Sequence, residues 1–137
     1  MNADDPLASE AVDADGIAAP FGAYSQAVIA PSGRRLMVFS GRLGVAADGS
    51  CPQGVRAQAE LILRDIDLLL RAAGGDRSDV LRLSAFVTER AHMGDYMKAR
   101  DAWVSDLDPL PASTLMIVSG FTRPEFLVEI EALAALR

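Results

Sequence analysis

The sequence is short of several things, and each shortage closes a door. It has one cysteine, Cys51, so no internal disulfide is possible and a reducing compartment is the simpler reading. It has one histidine, His92, which excludes a His-rich metal centre and leaves no Ser-His-Asp order. There is no Gly-rich phosphate loop and no dinucleotide fingerprint. Positive charge is in the minority: 13 basic residues stand against 19 acidic ones, a formal net charge of −6. All but Lys98 of the basic residues are arginines, and they are scattered. A nucleic-acid partner is therefore not expected, nor is a polybasic membrane anchor. No apolar run approaches the roughly 20 residues of a membrane span, and the acidic start carries no signal-peptide pattern. The expectation is a cytoplasmic, non-membrane protein. Residues 1–16 form a flexible acidic arm in this reading, and residues 17–137 a single domain.

What is present is a globular composition. Half of the 137 residues are hydrophobic and 23% are charged, enough for one core without metal or disulfide. Residues 23–30 predict a strand, followed by a Pro31-Ser32-Gly33 turn and a second strand over 35–41, close enough to form a hairpin. Leu43-Gly44-Val45 adds a short third strand before the Asp48-Gly49 turn. Gln53 to Ala73 is the clearest helix. Val55, Ala59, Ile62, Ile66, Leu69 and Ala73 recur at spacings of four and three, and Glu60–Arg64 and Asp67–Arg71 stand as opposite-charge pairs four apart. Gly74-Gly75 stops it.

Residues 79–88 predict another strand and 95–107 a second helix, with Tyr96, Ala99 and Trp103 on one side. Asp108-Pro109-Leu110-Pro111 ends that helix, and 114–118 is a short apolar strand. For 126–136 the pattern leaves helix and strand open: Leu, Glu and Ala favour a helix, yet Val128, Ile130, Ala132 and Ala134 alternate as in a strand. The sum is an α+β layer with helices on one face of a sheet. The other face is then polar or covered by a partner.

Four segments in order carry a resemblance. Gly22-Ala23-Tyr24-Ser25-Gln26-Ala27-Val28 is similar to the G-P-Y-S-Q-A-V opening of the RidA/YjgF family, also called endoribonuclease L-PSP or reactive-intermediate deaminases. Phe39-Ser40-Gly41-Arg42-Leu43-Gly44 resembles its F-x-S-G-Q-x-G segment. Gln58, then 69–74, then Asp79-Val80 resemble its Q…L-x-x-A-G-x…D-V. Pro111-Ala112 and residues 127–132 resemble P-A-R…V-E-I-E-A.

The resemblance implies a chorismate-mutase-like mixed sheet of six strands with two helices on one face, and makes the last segment a strand. It implies a homotrimer with a small-molecule cleft between subunits. It also implies hydrolysis of imines or enamines to a keto acid and ammonia, with no cofactor and no metal. Glu129 matches the glutamate that orients the attacking water. Tyr24, Ser40, Gly41, Arg42, Ser113 and Leu115 match substrate-binding positions.

The chain departs from the pattern at three of these. Ser113 stands where the family has the arginine that holds the substrate carboxylate, Leu115 where it has cysteine, and Arg42 where it has glutamine. This marks a divergent member, with weak or absent 2-iminopropanoate deaminase activity as the expectation. Arg42 is the candidate to supply the missing cation. The alternative is a non-catalytic trimer that keeps the pocket and binds a small molecule. Glu131 lies two residues from Glu129, on the same strand face, and alternation alone does not separate them. The ribonuclease of the family's older name gains no support from a chain without a basic groove.

Overall fold

The computed structural model describes residues 8–137. Seven strands and two helices follow in the order β1 (Glu10–Val12), β2 (Ala27–Ile29), β3 (Arg35–Val38), β4 (Arg42–Leu43), α1 (Val55–Ala72), β5 (Val80–Val87), α2 (Met93–Val104), β6 (Ala112–Ile117) and β7 (Val128–Leu136). The main sheet is mixed and has five strands, ordered β3-β7-β5-β6, with β4 also paired to β7. β5 and β6 are parallel, and all the other pairs are antiparallel. A parallel pair needs a long crossover, and α2 supplies it. No helix among the described residues is long and apolar enough to cross a membrane.

Three expectations are corrected. The hairpin between residues 23–30 and 35–41 does not form. β2 instead pairs with β1, Glu10 opposite Ile29, in a separate two-stranded ribbon, and β3 pairs with β7. The physical reason lies just before β2, where Ser25 N–H donates to Pro111 O at 3.1 Å and ties that segment to the α2–β6 connection. The main sheet accordingly has five strands where six were expected. Within the acidic arm, Glu10–Val12 is an exposed strand, while residues 1–7 lie outside the described residues.

The ambiguous last segment is β7, the central strand, held by β3 and β4 on one side and β5 on the other. Cross-strand pairing on both edges overrides the helix preference of its Leu, Glu and Ala residues. Its alternation then sorts the two faces of the sheet. Val128, Ile130, Ala132 and Ala134 are buried against the helices, together with Leu83, Ala85 and Val87 of β5. Glu129, Glu131 and Leu133 point to the opposite face, beside Phe86, Ser84 and Val38 in the register. Among the described residues no helix packs on that face.

α1 buries Val55, Gln58, Ala59, Ile62, Leu63, Ile66 and Leu70. The stripe therefore runs through Leu63 and Leu70, and Leu69 is 37% exposed. The expected Glu60–Arg64 and Asp67–Arg71 pairs are absent among the described residues. Glu60 accepts from Arg56 Nε at 2.9 Å, and Asp67 accepts from Trp103 Nε1 at 3.1 Å. The tertiary hydrogen bond to α2 takes the carboxylate that helix spacing assigned to Arg71. α2 contributes Tyr96, Ala99, Trp103 and Val104 to the same core.

Candidate functional site

Glu129 sits in β7 opposite Leu43 on one side and Phe86 on the other. It is half-buried, and among the described residues no hydrogen bond or ion pair engages its carboxylate. Ser40 and Gly41, both exposed, form the bend between β3 and β4. The backbone of Gly41 runs so close to Glu129 that a Cβ there would overlap the carboxylate. The glycine lets the Glu129 side chain lie where it does, and a larger residue here would push that side chain aside, with no demand on φ. Ser40, Gly41 and Glu129 thus form one group on the uncovered sheet face.

Glu131 shares that face but has different surroundings. It lines a shallow cavity of about 230 Å³ with Arg82, Ser84, Phe86, Thr114 and Met116. Arg82 donates to Thr114 Oγ1 across the β5–β6 pair. Register leaves the two carboxylates equivalent, and their neighbours separate them: backbone against Glu129, a cation-lined hollow around Glu131.

Arg42 is engaged in an ion pair within the chain. It stands opposite Ile130, a core residue, so its side chain leaves on the helix side and binds Asp65 of α1 at 3.0 Å. Within one chain that guanidinium is therefore already paired with Asp65.

Ser113 and Leu115 likewise lie on the helix side, in register with the buried Leu83 and Ala85. Leu115 packs against the core. Ser113 Oγ accepts from Arg100 Nη1 of α2 at 3.3 Å. Tyr24 belongs to this second group. A Cβ at Gly22 would lie 3.2 Å from both Arg100 Nη2 and Tyr24 Cε1, and Phe21 stands edge-on to Tyr24 at 6.2 Å. One chain therefore splits the seven sequence-derived positions. Glu129, Ser40 and Gly41 are on one face; Tyr24, Ser113, Leu115 and Arg42 are not.

Arg100 was missed by sequence reasoning. Its signal was available: positions 96, 100 and 103 share one face of a helix, so an arginine between Tyr96 and Trp103 falls on the buried stripe. Its side chain is 4% exposed. Gln58, part of the sequence resemblance, turns out to be a brace. Nε2 donates to Pro52 O at 3.0 Å and Glu125 O at 2.8 Å, and Oε1 accepts from Leu127 N–H at 2.9 Å, two residues before Glu129. Gly44 allows this approach, because a Cβ there would come within 2.8 Å of the Gln58 side chain. Cys51 is not activated. Burial, then the Glu125 charge, push its thiol above the ordinary value, and the Arg123 charge only partly opposes them. His92 lies 3.6 Å from Glu89, and no group of three metal-binding side chains exists among the described residues.

Comparison with known proteins decides the family. Residues 16–136 match the sequence profile described as endoribonuclease L-PSP. The chain belongs to this family. The chain is also similar to protein DfrA of Myxococcus xanthus, 30% identical over 131 residues that cover 93% of this chain and 96% of DfrA. Among solved structures, the Rid-family protein YyfB of Yersinia pestis superposes with a TM-score of 0.80 at 26% identity, covering 93% of this chain and 98% of that one. RidA from an Antarctic Psychrobacter superposes at 0.68 with 27% identity, covering 93% and 99%. The two helices on a mixed sheet are thus the Rid fold.

Proposed function

We propose that the protein hydrolyses a small imine, enamine or keto-acid-like metabolite, with Glu129 positioning the attacking water in a cleft between subunits of a homotrimer. The observation that carries this reading is the Glu129 carboxylate itself: half-buried, unpaired among the described residues, and pressed against the Gly41 backbone on a sheet face no helix covers. A carboxylate with no internal partner is free to accept a proton from water. Water then adds to the imine carbon. The resulting carbinolamine loses its nitrogen as ammonia once that nitrogen is protonated, leaving a carbonyl. Only water and proton transfers enter the balance.

Two observations support the trimer. Leu36 is 66% exposed, Val38 69% and Met116 49% on or beside the uncovered face, an apolar surface that calls for a protein partner. The two groups of candidate site residues also lie on different sides of one chain, so they complete one pocket only when neighbouring copies each supply a part. The second reading, a trimer that binds its small molecule without chemistry, is favoured by one residue, Ser113 in place of the resembled arginine.

The test is Glu129→Gln. It keeps shape and removes the basic oxygen. Imine clearance, followed as ammonia release from an imine generated in solution, is expected to fall about 10²- to 10⁴-fold, the worth of a general base. Light scattering should give three subunits for wild type and variant alike. Full activity in Glu129→Gln would overturn the catalytic reading, and a wild type that binds but never turns over supports the binding protein.

A further inference from the structure

The uncovered face of the sheet is apolar at its rim and charged near its middle. Val38 of β3 and Met116 of β6 stand exposed at its two edges, with Leu36 beyond Val38. Between those edges lies the cavity of about 230 Å³ that Arg82 and Glu131 line. Glu131 stands opposite Ser84, and Arg82 opposite Leu133, so the carboxylate and the guanidinium are diagonal neighbours across β5 and β7.

The two charges are nevertheless not paired. Glu131 is half-buried, and among the described residues no hydrogen bond or ion pair engages its carboxylate. Arg82 is exposed and donates to the Thr114 hydroxyl, and among the described residues no carboxylate forms an ion pair with it. The face thus carries one uncompensated charge of each sign in apolar surroundings. A wholly apolar partner would bury both charges without partners, at high cost. A small ion filling the cavity would leave Leu36, outside its lining, in water. A second copy of this chain meets both requirements. It brings an apolar rim, a carboxylate for Arg82 and a guanidinium for Glu131.

We propose that Arg82 of one copy pairs with Glu131 of the next, and that this pair fixes the register in which the uncovered faces meet. The inference rests on the homotrimer reading above and names the polar contact that locks it. In a closed ring each copy gives its arginine to one neighbour and its glutamate to the other, so every charge is matched. Without the arginines, the ring would gather one Glu131 per copy around an axis, in a chain whose net charge is already −6. A buried ion pair also needs hydrogen bonds to its remaining atoms. Thr114 already holds Arg82, and the Ser84 hydroxyl lies opposite Glu131 in the register.

The experiment reads subunit number and dissociation of the full-length protein by analytical ultracentrifugation, with circular dichroism to separate dissociation from unfolding. Arg82→Glu and Glu131→Arg each set like charges across every junction. Both should be dissociated at the concentration where the wild type is assembled. The double reversal, Arg82→Glu with Glu131→Arg, restores the pair in the opposite sense and should assemble again. Arg82→Gln and Glu131→Gln each leave one buried charge without a partner, and should raise the dissociation constant at least about 30-fold. Mixing the two single reversals counts the ring. Their junctions match only where the variants alternate, and an odd ring cannot alternate, so mixing should not restore a trimer.

Single reversals that assemble like the wild type overturn the proposal, as does a folded double reversal that stays dissociated. If the reversals fail to fold, the glutamine variants decide: an unchanged dissociation constant in either overturns it. A mixture of single reversals that forms stable two-copy particles supports the ion pair and overturns the trimer. No substrate enters these measurements, so a Glu129→Gln protein with full imine clearance defeats the catalytic reading and leaves the ion pair standing.

Discussion

Replacing Gln58 by leucine tests whether the brace under the site is what holds β7 in register. The volume is nearly conserved, so no cavity opens, and the change is confined to three hydrogen bonds. The substitution leaves the carbonyls of Pro52 and Glu125 and the N–H of Leu127 without the partners they have at 3.0, 2.8 and 2.9 Å. An unsatisfied buried group costs about 1–3 kcal/mol. Glu125 is exposed and Pro52 half-buried, so water reaches their carbonyls in part, and the Leu127 N–H carries the largest share. A leucine at this site, where glutamine is 1% exposed, regains roughly 1 kcal/mol of apolar burial.

The net expectation is a destabilisation of about 2–4 kcal/mol. It is read by urea unfolding at fixed protein concentration, because association shifts apparent stability. Gln58→Glu adds a sharper arm. It keeps an acceptor for Leu127 N–H but faces two carbonyls with no donor, so it should be at least as damaging at neutral pH. Activity should drop in both, since Leu127 leads directly into Val128 and Glu129. A Gln58→Leu protein within about 0.5 kcal/mol of wild type would refute the reasoning, because it would mean that water satisfies all three groups.

Gly41→Ala should cost less than about 1 kcal/mol of stability, since the position is exposed and the glutamate side chain is able to move, yet it displaces the Glu129 carboxylate. Imine clearance should fall nearly as far as in Glu129→Gln, and a fully active Gly41→Ala would show that the contact is irrelevant. Burial pushes the Tyr96 phenol up to about 12, with the Arg100 charge opposing. A folded-state value above the unfolded one near 10 means the contribution is present below pH 10 and lost as pH rises from 10 towards 12. Tyr96→Phe should flatten that alkaline limb in pH-dependent urea unfolding. It should leave stability at pH 7 unchanged or slightly higher, because the hydroxyl it removes has no partner.

Local chemistry determined much of this protein. The 3.6-residue periodicity of α1, its Gly74 stop, the apolar strand over β5 and the turn signals around Asp48-Gly49 are short-range facts, and the structure repeats them with shifts of one or two residues. The ordered motifs were enough to place the chain in its family. Pairing was not legible, because it depends on which strand edge is free. Residues 27–29 had a near neighbour in sequence but found β1, since Ser25 anchors their approach to the α2–β6 connection. The last segment was undecidable from its own pattern, because β7 is a strand only by virtue of partners on both sides.

The site shows the same division. Glu129 and Gly41 were legible as residue types in a motif, but their contact was not, because it depends on how tightly the β3–β4 bend approaches β7. Arg42 looked available from its neighbours in sequence, and only the tertiary fold sends it through to Asp65. Arg100 is the converse. In sequence it is one more scattered arginine, and only the crossing of α2 over the edge of β6 buries its charge beside Ser113. Propensity and periodicity act within a few residues, whereas the placement of a buried charge depends on elements distant in the chain, and that is the part the tertiary structure alone decided.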